Sequence, residues 1–118
     1  MALNFEKLIV WQKAFSLAEK VYIVLGELPK EEKYALIDQM RRSVISIPSN
    51  IAEGSGRSSQ NEKYYFFHVA KWSAMELHTK LLLARKSWYI NLKTQEEISL
   101  IIEEVVKMLV VMTRKSSS

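Results

Sequence analysis

The apolar residues of the chain form four series in which successive members are alternately three and four positions apart. Steps of three and four return side chains to one face of a helix, so each series predicts a helix with one buried side. In chain order the series are Leu8, Trp11, Phe15, Ala18, Tyr22 and Leu25; Ile37, Met40, Val44, Ile47 and Ile51; Phe67, Ala70, Ala74, Leu77, Leu81, Ala84 and Trp88; and Ile98, Ile101, Val105, Met108 and Met112.

Turn and capping residues separate these series. Gly26 and Pro29 follow the first series, and the glycine–serine segment 54–59 follows the second. We therefore predict helices over residues 6–26, 30–55, 59–90 and 94–115. Two pairs with capping-box spacing predict the starts of the last two helices: Ser59 with Glu62, and Thr94 with Glu97.

Pro48 lies inside the second predicted helix. An interior proline removes one helical hydrogen bond and crowds the carbonyl group four residues earlier. Because the apolar series resumes in register at Ile51, we predict that the helix continues with a kink. Short connections make successive helices antiparallel, so residues 1–118 are predicted to form one all-α domain, an up-down-up-down antiparallel four-helix bundle.

Apolar residues also lie on the predicted outer faces of helices three and four. A helix that is apolar nearly all round is buried on more than one side, whereas each helix of a bundle already has one outward side. This surplus favours contact between subunits of a homo-oligomer. The alternative is an irregular bundle with helix four at its centre. The candidate interface residues are Trp72, Leu83, Ile102 and Val106.

The composition narrows the class of protein further. Three glycines and two prolines supply too few turns for an all-β sandwich or barrel. The absence of cysteine excludes a disulfide framework and thiolate metal sites, and it fits a reducing compartment. No apolar run is long enough for a membrane span. We expect a soluble, cytoplasmic protein.

Positive charge is concentrated in the middle of the chain. The net charge is +4, and the segment from Gln39 to Lys93 holds nine bases against three acids. A basic block attracts polyanions such as RNA or DNA, although a solvated helix surface gives the same pattern. Arg41 and Arg42 could instead hold a carboxylate inside an assembly. The candidate nucleic-acid-binding residues are Arg41, Arg42, Arg57, Lys71, Arg85 and Lys86.

Catalytic and metal-binding patterns are missing from the sequence. A di-iron bundle needs Glu-x-x-His pairs, but Glu76 and His78 are two positions apart. The glycine–serine segment lacks the Gly-Lys-Ser/Thr of a phosphate-binding loop. We therefore expect no enzymatic activity, no cofactor and no metal site.

Two segments carry a resemblance to a known family: Leu8–Ala14 (LIVWQKA) and, above all, Gln39–Arg57 (QMRRSVISIPSNIAEGSGR). They resemble the 23S rRNA intervening sequence protein family, also called S23 ribosomal protein-like. The segment Ala70–Ala84 fits its third helix, except that Lys71 and Trp72 stand where smaller residues are expected. The resemblance covers nearly the whole chain, from Phe5 to Met112.

This resemblance implies a four-helix bundle that assembles as a ring-shaped homopentamer without catalytic activity. It also implies kinship with the accessory variability determinant of diversity-generating retroelements, a basic pentameric bundle associated with nucleic acid and a reverse transcriptase. Two hypotheses follow. The chain binds RNA or DNA through its basic surface, or it is a protein-interaction scaffold or adaptor, for example for a reverse transcriptase, without direct nucleic-acid binding.

Overall fold

The computed structural model describes residues 3–29 and 34–114. Across these residues each α-helix packs against the next one in the chain, and the last packs against the first. This arrangement confirms the predicted all-α, up-down-up-down antiparallel four-helix bundle. A 3-10 helix, Asn4–Lys7, comes first, followed by α1 (Ile9–Gly26), α2 (Tyr34–Ser55), α3 (Gln60–Lys86) and α4 (Leu92–Met112).

Three predicted helix ends differ by two residues or more from those in the structure. The first helix was expected from residue 6, but the 3-10 helix occupies that position and α1 begins at Ile9. The third was expected to reach residue 90, yet α3 ends at Lys86. The fourth was expected from residue 94, yet α4 begins at Leu92. The predicted start of helix two at residue 30 and end of helix four at residue 115 lie outside the described residues.

Helix α2 follows its prediction closely. It continues through Pro48, as expected, and that proline is itself buried. Near its end, a Cβ added to Gly54 would lie 2.8 Å from Cε1 of Phe67 on α3. The missing side chain therefore allows α2 and α3 to approach closely. All five predicted core residues of α2 are buried: Ile37, Met40, Val44, Ile47 and Ile51.

The predicted core of α1 is wrong for its large aromatic residues. Phe15 and Tyr22 are exposed, because the buried side of the helix is rotated by about one residue position from the predicted side. Phe15 instead stacks on Trp11 with ring centroids 5.0 Å apart. Small side chains on the buried side let α1 approach its neighbours. The buried residues of α1 are Val10, Ala14, Leu17, Ala18, Val21 and Leu25.

Helices α3 and α4 each depart from their predicted core at identifiable positions. The α3 series is buried from Phe67 to Ala84, but Trp88 is 84% exposed because the helix has already ended. In α4, Ile98 and Val105 are buried as predicted. The remaining predicted members are only half-buried, and two residues expected on its outer side are buried in their place: Ile102 and Leu109.

The helix ends have clear chemical causes. The hydroxyl of Ser59 accepts a hydrogen bond from the backbone N–H of Glu62 (3.1 Å), which confirms the predicted cap of α3. The predicted cap of α4 at Thr94 is wrong. The side chain of Asn91 accepts a hydrogen bond from the Thr94 N–H (2.8 Å) and starts the helix two residues earlier.

Helix α3 ends in a Schellman motif centred on Trp88. The N–H of Trp88 donates to the carbonyl of Arg85 (3.1 Å), and the N–H of Tyr89 donates to the carbonyl of Ala84 (2.9 Å). Trp88 has φ 65°, which is the left-handed conformation that this position requires. Glycine usually occupies it, because a side chain there costs roughly 1–2 kcal/mol.

Candidate nucleic-acid interface

The six candidate cations do not form one cluster. Arg57 lies in the turn between α2 and α3, whereas Arg85 and Lys86 lie at the other end of α3. Since α3 has 27 residues, these two ends are about 40 Å apart. A single small ligand therefore cannot contact all six residues, and each part of the set has to be considered separately.

Arg42 and Arg57 are engaged within the chain. The Nε of Arg42 donates to Oδ2 of Asp38 (3.0 Å), one helical turn earlier. Arg57 pairs with Glu53, lies 3.6 Å from Oε2 of Glu62, and places its guanidinium over a neighbouring aromatic ring. Such exposed pairs are weak, but they lower the net charge that these arginines present to a phosphate.

Arg41 lies between α1 and α2. Its guanidinium carbon is 5.5 Å from the ring centroid of Tyr22, and its Nε is buried without a hydrogen-bond partner among the described residues. The half-buried position lets its aliphatic part pack beside the exposed ring. Arg41 is therefore partly committed to the contact between these two helices.

Where α3 joins α4, the bundle carries three cations that form no ion pair among the described residues. Arg85 and Lys86 close α3, and Lys93 follows in the first turn of α4. Within the described ranges, none of the three has a carboxylate within 4.0 Å, and the same holds for half-buried Lys71 in the middle of α3. The chain between Glu76 and Glu96 contains four lysines or arginines and no acid.

Trp88 also lies at this end of the bundle. Its position in the apolar series predicted a core residue, whereas its ring lies on the surface. The guanidinium carbon of Arg85 lies 5.3 Å from the Trp88 ring centroid, a cation–π distance. No glycine follows α3, so no residue type there signals that the helix ends before Trp88. Its spacing from Leu81 and Ala84 placed it in the core instead.

The candidate oligomer-interface residues divide into exposed and buried ones. Trp72 is 52% exposed and Leu83 is 55% exposed, and both lie on the outer side of α3. Val106 is half-buried beside the core. Ile102 was expected on an outer face, but it is 2% exposed because α4 turns this side towards α3. The structure therefore assigns Ile102 to the core of the chain itself.

A polar seam joins the outer edges of α2 and α3. Ser46 and Ser73 share a hydrogen bond of 2.8 Å between their hydroxyl groups, and Asn50 donates to the Ser46 hydroxyl (3.0 Å). Lys80 donates to the hydroxyl of Ser43 (2.9 Å). These hydrogen bonds satisfy the hydroxyl groups of Ser43, Ser46 and Ser73 where α2 packs against α3.

Within the part of the chain that the structure describes, no three histidine, cysteine or acidic residues lie close enough together to hold a metal ion. None of the helices there has the length and hydropathy required to cross a lipid bilayer.

The fold and these surfaces define an antiparallel four-helix bundle with a group of unpaired cations where α3 joins α4. A family model, the 23S rRNA-intervening sequence protein, matches residues 6–111, and the chain belongs to this family. It is also similar to a crystal structure from Bacteroides thetaiotaomicron, described as a protein with unknown function from the S23 ribosomal protein family. The two share 25% identity and a TM-score of 0.85, covering 91% of this chain and 100% of the other. No curated protein matches the chain.

Proposed function

We propose that this chain is a non-enzymatic, oligomeric bundle that binds RNA or DNA through its basic surface. The supporting observation is the end formed by α3 and α4, where Arg85, Lys86 and Lys93 have no described carboxylate within 4.0 Å. Cations without a partner can exchange their counterions for phosphates, which is the main source of nucleic-acid affinity.

The expected recognition is of the phosphate backbone. Arginine and lysine on a rigid helix fix the position of a nucleic acid without reading its sequence. Arg42 and Arg57 contribute less than the sequence suggested, because a phosphate would have to displace their carboxylate partners. Of the six candidate nucleic-acid-binding residues, the strongest candidates for contact with phosphate are therefore Lys71, Arg85 and Lys86.

Assembly would strengthen this interaction. The exposed side chains of Trp72 and Leu83 support contact with a second copy of the chain. The number of subunits, five, is proposed from the family resemblance. With a net charge of +4 per chain, five copies would carry +20 and repeat the unpaired cations of the α3–α4 corner around the ring.

A protein-interaction scaffold is the second candidate function. The exposed apolar residues of α1, which include Phe15, Tyr22 and Ile23, offer a surface for another protein. Kinship with the retroelement accessory protein, and hence a reverse transcriptase partner, remains a prediction from resemblance. Salt distinguishes the two functions, because phosphate binding weakens steeply with salt whereas a mostly apolar interface does not.

The test compares two double variants in binding to several unrelated labelled RNAs over a salt series. Arg85→Ala with Lys86→Ala removes two unpaired cations, and it should lower the log–log salt slope by roughly two units for every RNA. Arg42→Ala with Arg57→Ala removes the same charge from paired positions and should lower the slope less. Equal slopes for wild type and the first variant would overturn the proposed site, and absence of binding at low salt would favour the scaffold.

A further inference from the structure

The backbone at Trp88 does not require tryptophan. Its backbone has φ 65°, which is the left-handed conformation. Residues with a side chain are strained in this conformation, whereas glycine is not. The hydrogen bonds of the Schellman motif come from backbone N–H groups, so any residue other than proline could make them. Folding therefore gives no reason for a large aromatic residue at this position.

The side chain also contributes little to the core. Trp88 is 84% exposed, and its ring contact is with the guanidinium of Arg85, 5.3 Å from the centroid. Strained residues with exposed aromatic rings occur where the surroundings serve a function rather than stability. The ring retains a large surface open to solvent. Arg85 is half-buried beside it, with its Nε buried and without a hydrogen-bond partner among the described residues.

The charges around the ring identify the chemistry of a ligand. Arg85, Lys86 and Lys93 lie within five residues of Trp88, and the nearest acids along the chain are Glu76 and Glu96. A planar aromatic group combined with cations is the arrangement that binds unpaired bases and their phosphates. A duplex offers the phosphates but keeps its base faces stacked inside.

We propose that the end joining α3 to α4 binds single-stranded nucleic acid, with an unpaired base stacked on Trp88. The phosphates on either side of that base contact Arg85, Lys86 and Lys93. This inference rests on the proposed function and narrows it from nucleic acid in general to single strands. A membrane surface fits the site less well, because Leu83 and Leu92 are the only other large apolar side chains exposed within five residues of Trp88, and Leu83 is a candidate for the contact between subunits.

The experiment uses substitutions that separate stacking from folding. Trp88→Gly removes the ring and places glycine at the left-handed position, so the melting temperature should not fall. Trp88→Phe keeps an aromatic face. Each protein is titrated by fluorescence anisotropy against a labelled oligouridine of about 20 nucleotides and against an RNA duplex of the same length.

We expect Trp88→Gly to weaken oligouridine binding about tenfold and to leave duplex binding nearly unchanged, since one stacked base accounts for a loss of this size. The salt slope should stay that of the wild type, because no ionic contact is removed. Trp88→Phe should recover most of the affinity.

The outcomes separate this inference from the proposed function. If both nucleic acids bind and Trp88→Gly weakens neither, or weakens both equally, the stacking role is overturned while nucleic-acid binding stands. If neither binds at low salt, both proposals fail. Binding to the duplex without binding to oligouridine would overturn the inference alone. Binding to anionic vesicles, with no binding to either nucleic acid, would overturn both proposals and identify a membrane surface as the ligand.

Discussion

Replacing Gly54 with alanine tests the close approach of α2 and α3. An added Cβ would lie 2.8 Å from Cε1 of Phe67, which is far inside normal contact distance, and 3.0 Å from Cβ of Phe66. The ring of Phe67 is buried and cannot move into solvent, so the clash has to be relieved by displacing a helix. The turn that carries Arg57 would then move as well.

The magnitude follows from two opposing effects. Overpacking in a buried contact costs about 1–3 kcal/mol, whereas alanine gains up to ~1 kcal/mol over glycine in a helix. We expect a net loss of about 1–2 kcal/mol. For a chain of this length that corresponds to a fall in melting temperature of roughly 4–8 °C, measured by circular dichroism at one fixed protein concentration.

The other two glycines of the chain are matched controls. A Cβ at Gly26 would meet nothing within 4 Å, and one at Gly56 would be 3.7 Å from the nearest atom. Neither glycine has positive φ, so alanine at either position should not lower stability by more than ~0.5 kcal/mol. The reasoning is refuted if Gly54→Ala is as stable as these controls.

A double variant identifies the contact itself. Phe67→Leu shortens the side chain that the new methyl group would meet. If the clash with this ring causes the loss, Gly54→Ala and Phe67→Leu together should cost less than the sum of the single changes, by at least ~0.5 kcal/mol. If the stability losses of the two single changes simply add, the strain lies at a contact other than the one with Phe67.

Two further predictions concern the core and the assembly. Val105→Asp should unfold the bundle or lower its stability by several kcal/mol in chemical denaturation, because it buries an unpaired charge. Leu100→Asp, on the exposed side of α4, should change monomer stability little. Equal effects of the two changes would show that the orientation of α4 is wrong. Trp72→Glu should reduce the mass measured by light scattering and preserve the helical spectrum, whereas an unchanged mass would remove Trp72 from the subunit interface.

The sequence predicts the fold well because the spacing of apolar residues in α2 leaves only one possible buried side. It fails in α1, which has two apolar sides. The large residues Phe15 and Tyr22 favoured one of these sides as the core, but the buried side is the other one, which carries the small residue Ala14. The end of α3 could not be predicted, since the turn at Trp88 uses a residue that normally avoids left-handed backbone.

The candidate site was predicted by residue type but not by arrangement. The sequence shows which residues are cations, and the four-residue spacing of Asp38 from Arg42 and of Glu53 from Arg57 is a signal for the two ion pairs that our prediction did not use. What the sequence does not show is how the six cations are distributed over the surface, because that depends on where each helix ends and on its rotation. The exposed ring of Trp88 beside Arg85 was not predicted, because Trp88 continues the spacing of the core residues of α3.

The hydroxyl pair of Ser46 and Ser73 fixes how far α2 and α3 can slide along each other. A shift of α3 by one turn, about 5.4 Å, would replace Ser73 with an apolar residue four positions away, Val69 or Leu77. The half-buried Ser46 hydroxyl would then lose its partner across the helices and keep only the hydrogen bond from Asn50, at a cost of about 0.5–1.5 kcal/mol. Apolar side chains tolerate such slippage, whereas this pair admits one alignment of the two helices.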